Sequence, residues 1–471
     1  MSKSCVSALL VPALLLAGCA LGPDYERPSQ NVPAQYRGQA QAESVSLGDA
    51  DWRAVYTEPV LQTLVDEALR ANLDLRIAAA RVEQAGLLLG SARLAQWPTL
   101  AGTAAISRGQ TSAYAQSPGQ PRIGERGTVG VDLSWELDFW GRLRRLSESA
   151  RAEYLGSRHA ESAVRVGLVA NVANAYYSLC ALEERYTAAS RSVGAREDFL
   201  KLTQAQLQRG VISWLDVASA EAQLASAQAS VHDLVRQREQ TENALGVLLA
   251  RQPQSLSLGD CASPAGAGAG LPSRLLERRP DVLQSEQALV SANARIGAAK
   301  AALFPDLSLT GAFGALSTNV SRLLSGPAET WSVGVDVLQP LLDADRSLYQ
   351  VDLARARTRE AVLQYEKTVR TAFREVADAL VAQSRSREML VAQQAQVDAL
   401  KRAEEIARAR YRAGYSSYFD VINADRDLFA AEQALAQARL GAHLAVVDLY
   451  RALGGGWSTS EVAAEATAPA P

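Results

Sequence analysis

One pattern of residues occurs twice along the chain. Asp74, Gly90, Trp97 and Pro98 recur as Asp281, Gly297, Phe304 and Pro305, each 207 positions later. Further on the offset is 204: Val129-Gly130-Val131-Asp132 recurs as Val333-Gly334-Val335-Asp336, Gly210 as Gly414, and Leu215-Asp216-Val217 as Phe419-Asp420-Val421. A fold for these 471 residues must be built from two similar halves. The three residues lost between the offsets fall between positions 98 and 129, in a polar stretch.

Prolines are confined to the boundaries of this repeat, and residues 122–252 and 341–468 contain none. Such Ala-, Gln-, Arg- and Glu-rich tracts read as helix. Residues 142–209 predict one helix of about 100 Å, too long for a globular core. Gly210 interrupts it, and residues 213–249 return beside it as a hairpin. The second half repeats the hairpin over 346–412, a turn at Gly414 and a return helix to about 453. Leu207, Val211, Leu215, Val217 and Leu224, with many alanines between, predict a narrow stripe for close helix packing and no bulky core.

Between the helices the period changes to two. Over residues 128–139, Val129, Val131, Leu133, Trp135, Leu137 and Phe139 alternate with Thr128, Gly130, Asp132, Ser134, Glu136 and Asp138. Trp331, Val333, Val335 and Val337 alternate likewise, Leu307, Leu309 and Phe313 mark the strand before them, and residues 98–108 form the weakest of four strands. Each is long enough to cross a bilayer at a tilt, and polar loops over 109–126 and 315–329 join the pairs. Lipid forbids open sheet edges, and four strands are fewer than the eight of the smallest barrels. The expected fold is mainly α with a transmembrane β-barrel portion, in which three chains supply a 12-stranded barrel standing on a long α-helical barrel. The competing expectation is a lipid-anchored coiled-coil periplasmic spacer without a pore.

Composition excludes several classes. Lys plus Arg at 48 against Asp plus Glu at 51 gives a formal charge of -3, which argues against nucleic acid as a partner. Three histidines and four cysteines leave no metal centre of ordinary design, and no nucleophile elbow or phosphate loop occurs, so neither enzyme activity nor a cofactor is expected. At the N-terminus, Lys3, a short apolar run and Leu16-Ala17-Gly18-Cys19 form a signal peptide ending in a bacterial lipobox, with Cys19 as the lipidated first residue of the mature chain. Ala20 after the cysteine favours sorting to the outer membrane.

The residues resemble the TolC-like outer-membrane efflux channels, in the lipoprotein branch typified by OprM and NodT. The carriers are Cys19 with Gly22-Pro23-Asp24-Tyr25-Glu26-Arg27-Pro28, Trp52, Asn72-Leu73-Asp74-Leu75, Leu276-Glu277-Arg278-Arg279-Pro280-Asp281, Tyr411-Arg412-Ala413-Gly414 and Ala452-Leu453-Gly454-Gly455-Gly456-Trp457. The resemblance implies a homotrimer in outer-membrane lipid, its helical part in the periplasm, serving as a passive exit duct for an inner-membrane pump of the RND type through a periplasmic adaptor.

Candidate gate residues lie beside the tip turns. Asp216 and Asp420 are equivalent, and a threefold ring of either makes a cation-attracting constriction; the alternative is a helix cap. By resemblance Asp420 matches the first aspartate of the constriction, Asn423 stands where a second is common, and Ser416 stands where an arginine lock occurs, with Arg426 nearby. Tyr411 and Asp216 match a pair that holds the tip shut, and Phe419 completes the gate set. Adaptor contact is expected on Gly210, Val211, Ile212, Ser213, Gly414, Tyr415, Ser416 and Ser417.

Counting back from the tip brings the end of the first return helix near Cys180, with Cys261 in the linker that follows, so the two either form a disulfide or stand as free thiols. The expected organisation is a signal peptide over 1–18, an anchored segment over 19–58, a first repeat over 59–250, a linker over 251–273, a second repeat over 274–457 and a disordered tail over 458–471.

Overall fold

The computed structural model describes residues 21–38, 46–119, 121–266, 268–339, 341 and 344–455. Cys19, the signal segment, the tail and the Gly456-Trp457 end of the last motif lie outside the described residues. The elements are α1 (Trp52–Val55), α2 (Pro59–Ala71), α3 (Leu73–Leu94), β1 (Thr99–Gln110), β2 (Ile123–Glu136), α4 (Arg142–Gln208), α5 (Trp214–Leu248), α6 (Pro272–Arg278), α7 (Pro280–Ala301), β3 (Asp306–Ser317), β4 (Glu329–Leu338), α8 (Ala344–Arg412) and α9 (Tyr418–Ala452). The order from α2 to α5 recurs from α6 to α9.

The two longest helices have 67 and 69 residues and therefore run about 100 Å each. Their ends fall within two residues of those read from the sequence. The turns explain why. Gly210 and Gly414 have φ of +71° and +78°, the left-handed conformation that only glycine adopts without strain. Around each, the same pair of bonds closes the helix: Gly210 N to Leu207 O at 2.9 Å with Val211 N to Gln206 O at 3.0 Å, and Gly414 N to Tyr411 O at 3.0 Å with Tyr415 N to Arg410 O at 2.9 Å. This is the Schellman ending, which satisfies the last carbonyls and reverses the chain.

The four strands form one antiparallel sheet in the order β1-β2-β3-β4. At 12, 14 and 12 residues β1, β2 and β3 are longer than the expected length of about 9 to 11, whereas β4 has 10, and the boundaries are displaced. Strand β2 starts at Ile123, inside the expected loop, and stops at Glu136 although the alternation continues to Phe139. Asp138 ends it: its carboxylate accepts from the backbone N–H groups of Leu143 and Arg144, at 3.0 and 2.8 Å, and so starts α4.

The expectation of no bulky core fails at the middle of the helices. There Tyr56, Tyr176, Tyr177, Tyr365 and Tyr450 are among the largest fully buried side chains, in one cluster with Leu61, Val172 and Leu245. Toward the tips the buried clusters shrink to Leu182, Ala189 and Leu234, and to Val397, Ala431 and Leu435. A disulfide between Cys180 and Cys261 closes onto the thick midsection. It spans 81 residues of chain, a loop worth up to about 4.5 kcal/mol in the entropy model.

Candidate functional site

Directly opposed residues on paired strands share a face, so the register sorts the sheet. Leu100, Leu133, Gly311 and Val333 form one row, and Gly102, Val131, Phe313 and Trp331 the next. Trp135, Leu309 and Val335 share that face, as do Leu307 and Val337. The opposite face carries Ala101, Asp132, Ala312 and Ser332 in one row and Thr99, Ser134, Thr310 and Gly334 in another. Below them lie Glu136, Ser308 and Asp336. The apolar face is bare: Trp331 is 73% and Val333 72% exposed in the single chain. Among the described residues, β1 and β4 each have one strand neighbour.

The acidic residues of the polar face divide into two kinds. Glu136 is held by the Arg142 guanidinium through bonds of 2.6 to 2.9 Å, which ties the last residue of β2 to the first of α4. Asp336 accepts from the Thr310 hydroxyl at 3.1 Å. Asp132, half-buried, stands in a row with Ala101, Ala312 and Ser332.

At the other end of the helices the two turns present Val211, Trp214, Leu215, Tyr415 and Phe419, all exposed, with Trp214 at 75% and Tyr415 at 79%. Ile212 and Ser416 are half-buried, and Ser213 and Ser417 cap the return helices. Asp216 accepts from the Ser213 backbone N–H at 2.9 Å and hydroxyl at 2.8 Å; Asp420 accepts the equivalent bonds from Ser417 at 3.2 Å. Both aspartates close capping boxes. The Ser213 hydroxyl and backbone donors hold the Asp216 carboxyl below the usual carboxylate range. Tyr411, paired by resemblance with Asp216, instead donates to Gln206 Oε1 at 3.3 Å within the chain. Asn423 is half-buried, and Arg426 pairs with its neighbour Asp427 at 3.3 Å.

Sequence reading missed the group that joins the two hairpins near the tip. Arg196 on α4 donates to Asp425 on α9 from Nε and Nη2, at 3.2 and 3.1 Å, and to the Gln223 carbonyl on α5 at 2.9 Å. Arg408 on α8 approaches the other Asp425 oxygen at 3.7 Å. Phe199 stacks on Tyr418, and Tyr411 lies 5.6 Å from Tyr418, centre to centre. Burial raises the Tyr418 hydroxyl pKa well above its ordinary value. No local signal marks Asp425, because its partner Arg196 lies 229 positions away.

The Gly22–Pro28 motif has a visible purpose. Leu21 N donates to the Trp140 carbonyl at 3.2 Å, just beyond the end of β2, and Arg145 donates to Asp24 at 2.9 Å. Asn293 on α7 donates to the Pro23 carbonyl at 3.0 Å. Tyr25 and Arg27 both donate to Glu286, which is only 6% exposed. Gly22 crosses α7 at Gly297 so closely that a Cβ on either would overlap the other's backbone or its neighbour's. The N-terminal segment is thus strapped along the helices from the end of the sheet.

Comparison with known proteins agrees with these features. The family described as outer membrane efflux protein matches residues 64–251 and 271–455. The chain is 37% identical over 469 residues to the probable efflux pump outer membrane protein TtgC of Pseudomonas putida, covering 97% of this chain and 96% of that one. It is 33% identical over 453 residues to the cation efflux system protein CusC of Escherichia coli, covering 94% and 97%. The crystal structure of the Campylobacter jejuni CmeC outer membrane channel superposes with a TM-score of 0.87 at 28% identity, over 95% of this chain and 98% of that one. The four-stranded sheet on helical hairpins thus matches the fold of a solved outer membrane channel, and the chain belongs to the outer membrane efflux protein family.

Proposed function

We propose that three copies of this chain close into a 12-stranded barrel in the outer membrane, continued by a helical tunnel in the periplasm, and that the assembly is a passive exit duct. The observation that carries this reading is the sheet: among the described residues, four strands, one apolar face exposed to about three-quarters on Trp331 and Val333, and outer strands with one neighbour each. In lipid the apolar face is satisfied and the edges are not. Successive strands are antiparallel, so β4 of one copy meets β1 of the next in antiparallel sense and the ring closes without a parallel pair. The strands are about 33 to 46 Å long at 3.3 Å per residue and, tilted, cover a bilayer. Thr310, Asp132 and Asp336 then face water inside.

Cys19 precedes Leu21 by two residues, a reach of about 7 Å. With Leu21 bound at Trp140, a diacylglycerol on Cys19 enters the leaflet beside the sheet's helical end, which is the periplasmic side. The exposed tips Val211, Trp214, Leu215, Tyr415 and Phe419, about 100 Å away, receive the periplasmic adaptor, and the energy comes from an inner-membrane pump, of the RND type by family resemblance. Three copies bring Phe419 and Asp420 around the opening, the capped carboxylate still facing solvent. The relatives include a cation efflux system protein and a probable efflux pump outer membrane protein, and the cargo of this duct is of the same broad kind, small molecules or ions. Purified lipidated protein in planar bilayers tests the reading. Discrete channel conductance, and threefold hollow particles in detergent, are expected; particles that stay single and pass no current would refute it. Within that experiment Asp420→Ala lowers cation preference if the carboxylates ring the pore and leaves it unchanged if they only cap helices.

A further inference from the structure

Among the described residues of 251–271, which join the two halves, none lies in a helix or strand, yet several are held by different elements. Tyr176 on α4 accepts from Gly259 N at 3.3 Å and Tyr177 donates to the Ala262 carbonyl at 3.2 Å. Glu58 accepts from Ala262 N at 3.3 Å, and Ala265 N donates to the Val55 carbonyl at 2.9 Å. On the far side Ser263 shares a 3.0 Å hydrogen bond with His443 of α9. Cys261 sits at the centre of these contacts with φ +54°, a left-handed conformation unusual for a residue with a side chain, and is bonded to Cys180. The segment therefore crosses α4 and α9 as a belt.

The belt also lies where packing changes. On the sheet side is the tyrosine-rich core; on the tip side, among the described residues, the buried apolar clusters shrink to two of three residues each, beside polar contacts such as Arg196–Asp425. From Leu182 to Gln208, α4 extends about 40 Å beyond the belt with that thin support. Regions with few buried apolar contacts open at lower free energy than thickly packed ones.

We propose that the Cys180–Cys261 bond makes this belt the fixed fulcrum about which the tipward arms swing, and that a dithiol reductant releases it. One thiolate of the reductant attacks Sγ of half-buried Cys261; the Sγ of Cys180 leaves as thiolate and takes a proton. The reductant's second thiol then displaces Cys261 and closes its own disulfide, so two electrons and two protons reach the protein. The hydrogen bonds above remain, but none of them is covalent, and a residue in a disfavoured conformation no longer has its anchor. The part of this inference that concerns gating rests on the duct reading above.

Purified trimer is compared before and after dithiothreitol, with thiol alkylation counting the two released cysteines, and with a Cys180→Ser/Cys261→Ser double variant. Trypsin cleavage after Arg251 is expected to accelerate about tenfold on reduction, as local opening becomes easier. Transitions between conductance levels become more frequent. The double variant should behave as the reduced protein and ignore the reductant. Unbonded thiols in the starting material, or unchanged cleavage after both cysteines are alkylated, would overturn the belt lock. Faster cleavage with unaltered transitions would overturn the fulcrum. If the double variant fails to fold, reduction of the wild-type trimer still decides. If the oxidised protein carries no current, the duct reading fails, while the cleavage result judges the lock separately.

Discussion

Gly130 of β2 and Gly314 of β3 lie face to face, so close that a Cβ on Gly314 would overlap Gly130 Cα and the Val129 carbonyl oxygen. A Cβ on Gly130 would lie 2.8 Å from the Phe313 carbonyl oxygen. Backbone approach of this kind bends a sheet, as wall curvature requires. Gly314→Val should therefore cost about 1–3 kcal/mol by overpacking and reduce assembly. Heat-dependent mobility on gels, comparing the assembled and dissociated species, reports it; a normal yield of assembled variant counts against the tight approach.

Neighbouring residues on β4 should respond oppositely to the same charge. Val333 lies on the apolar face and Ser332 on the polar one. Val333→Arg is expected to lose about 2–4 kcal/mol if that face meets the lipid midplane. Ser332→Arg should fold normally and move ion preference toward anions. Urea unfolding in lipid vesicles measures the first effect and reversal potentials the second.

Removing Asp425 leaves Arg196 and Arg408 without the carboxylate they share. Asp425→Ala should loosen the contact between the two hairpins, costing about 1–3 kcal/mol locally, and raise conductance if these hairpins border the opening. Asp425→Asn, which keeps one acceptor, should fall between. Bilayer recordings of the three proteins rank them.

Asp216 offers a pH test of the tip. Its carboxyl is depressed below the ordinary 3.8 by the Ser213 donors. A carboxylate with a lowered folded value contributes stability that is complete above the unfolded value and is lost as pH falls through the folded one. The first turn of α5 should thus hold at neutral pH and fray only below pH 3.8. The emission of Trp214 next to it, taken as the difference between wild type and Asp216→Asn, should titrate in that acid window. A change centred near pH 6 would contradict the assignment.

Glu286 is buried and accepts from both Arg27 and Tyr25. Arg27→Ala removes the guanidinium from this buried carboxylate and should destabilise by about 1–3 kcal/mol, discounted because Arg27 is 44% exposed. Glu286→Leu in the same background should recover part of the loss. Thermal unfolding of the single and double variants separates strap from charge.

The helices were legible because their signals are local: absence of proline, then one glycine at each turn, placed the ends of α4 and α5 within two residues. Strand ends were not, since alternation persists through Leu137 and Phe139 while Asp138 has already been taken by the helix. Residues 123–127 include Gly124, Glu125, Arg126 and Gly127, poor strand formers that pair only because β1 lies opposite. The tyrosine core was hidden for another reason: Tyr56, the adjacent Tyr176 and Tyr177, Tyr365 and Tyr450 come from four separate stretches far apart in the sequence. At the tips, sequence placed Asp216 and Asp420 correctly beside the turns but left cap and constriction open, and the capping boxes account for their local bonds.

Each chain offers two different rims, β1 on one side and β4 on the other. In the ring proposed above, a copy spoiled at β4 alone would still join a healthy neighbour through β1, and would then stop the circle from being finished. Damage of that sort is contagious: a minority of such chains, made beside intact ones in the same cell, should disable far more ducts than their own number.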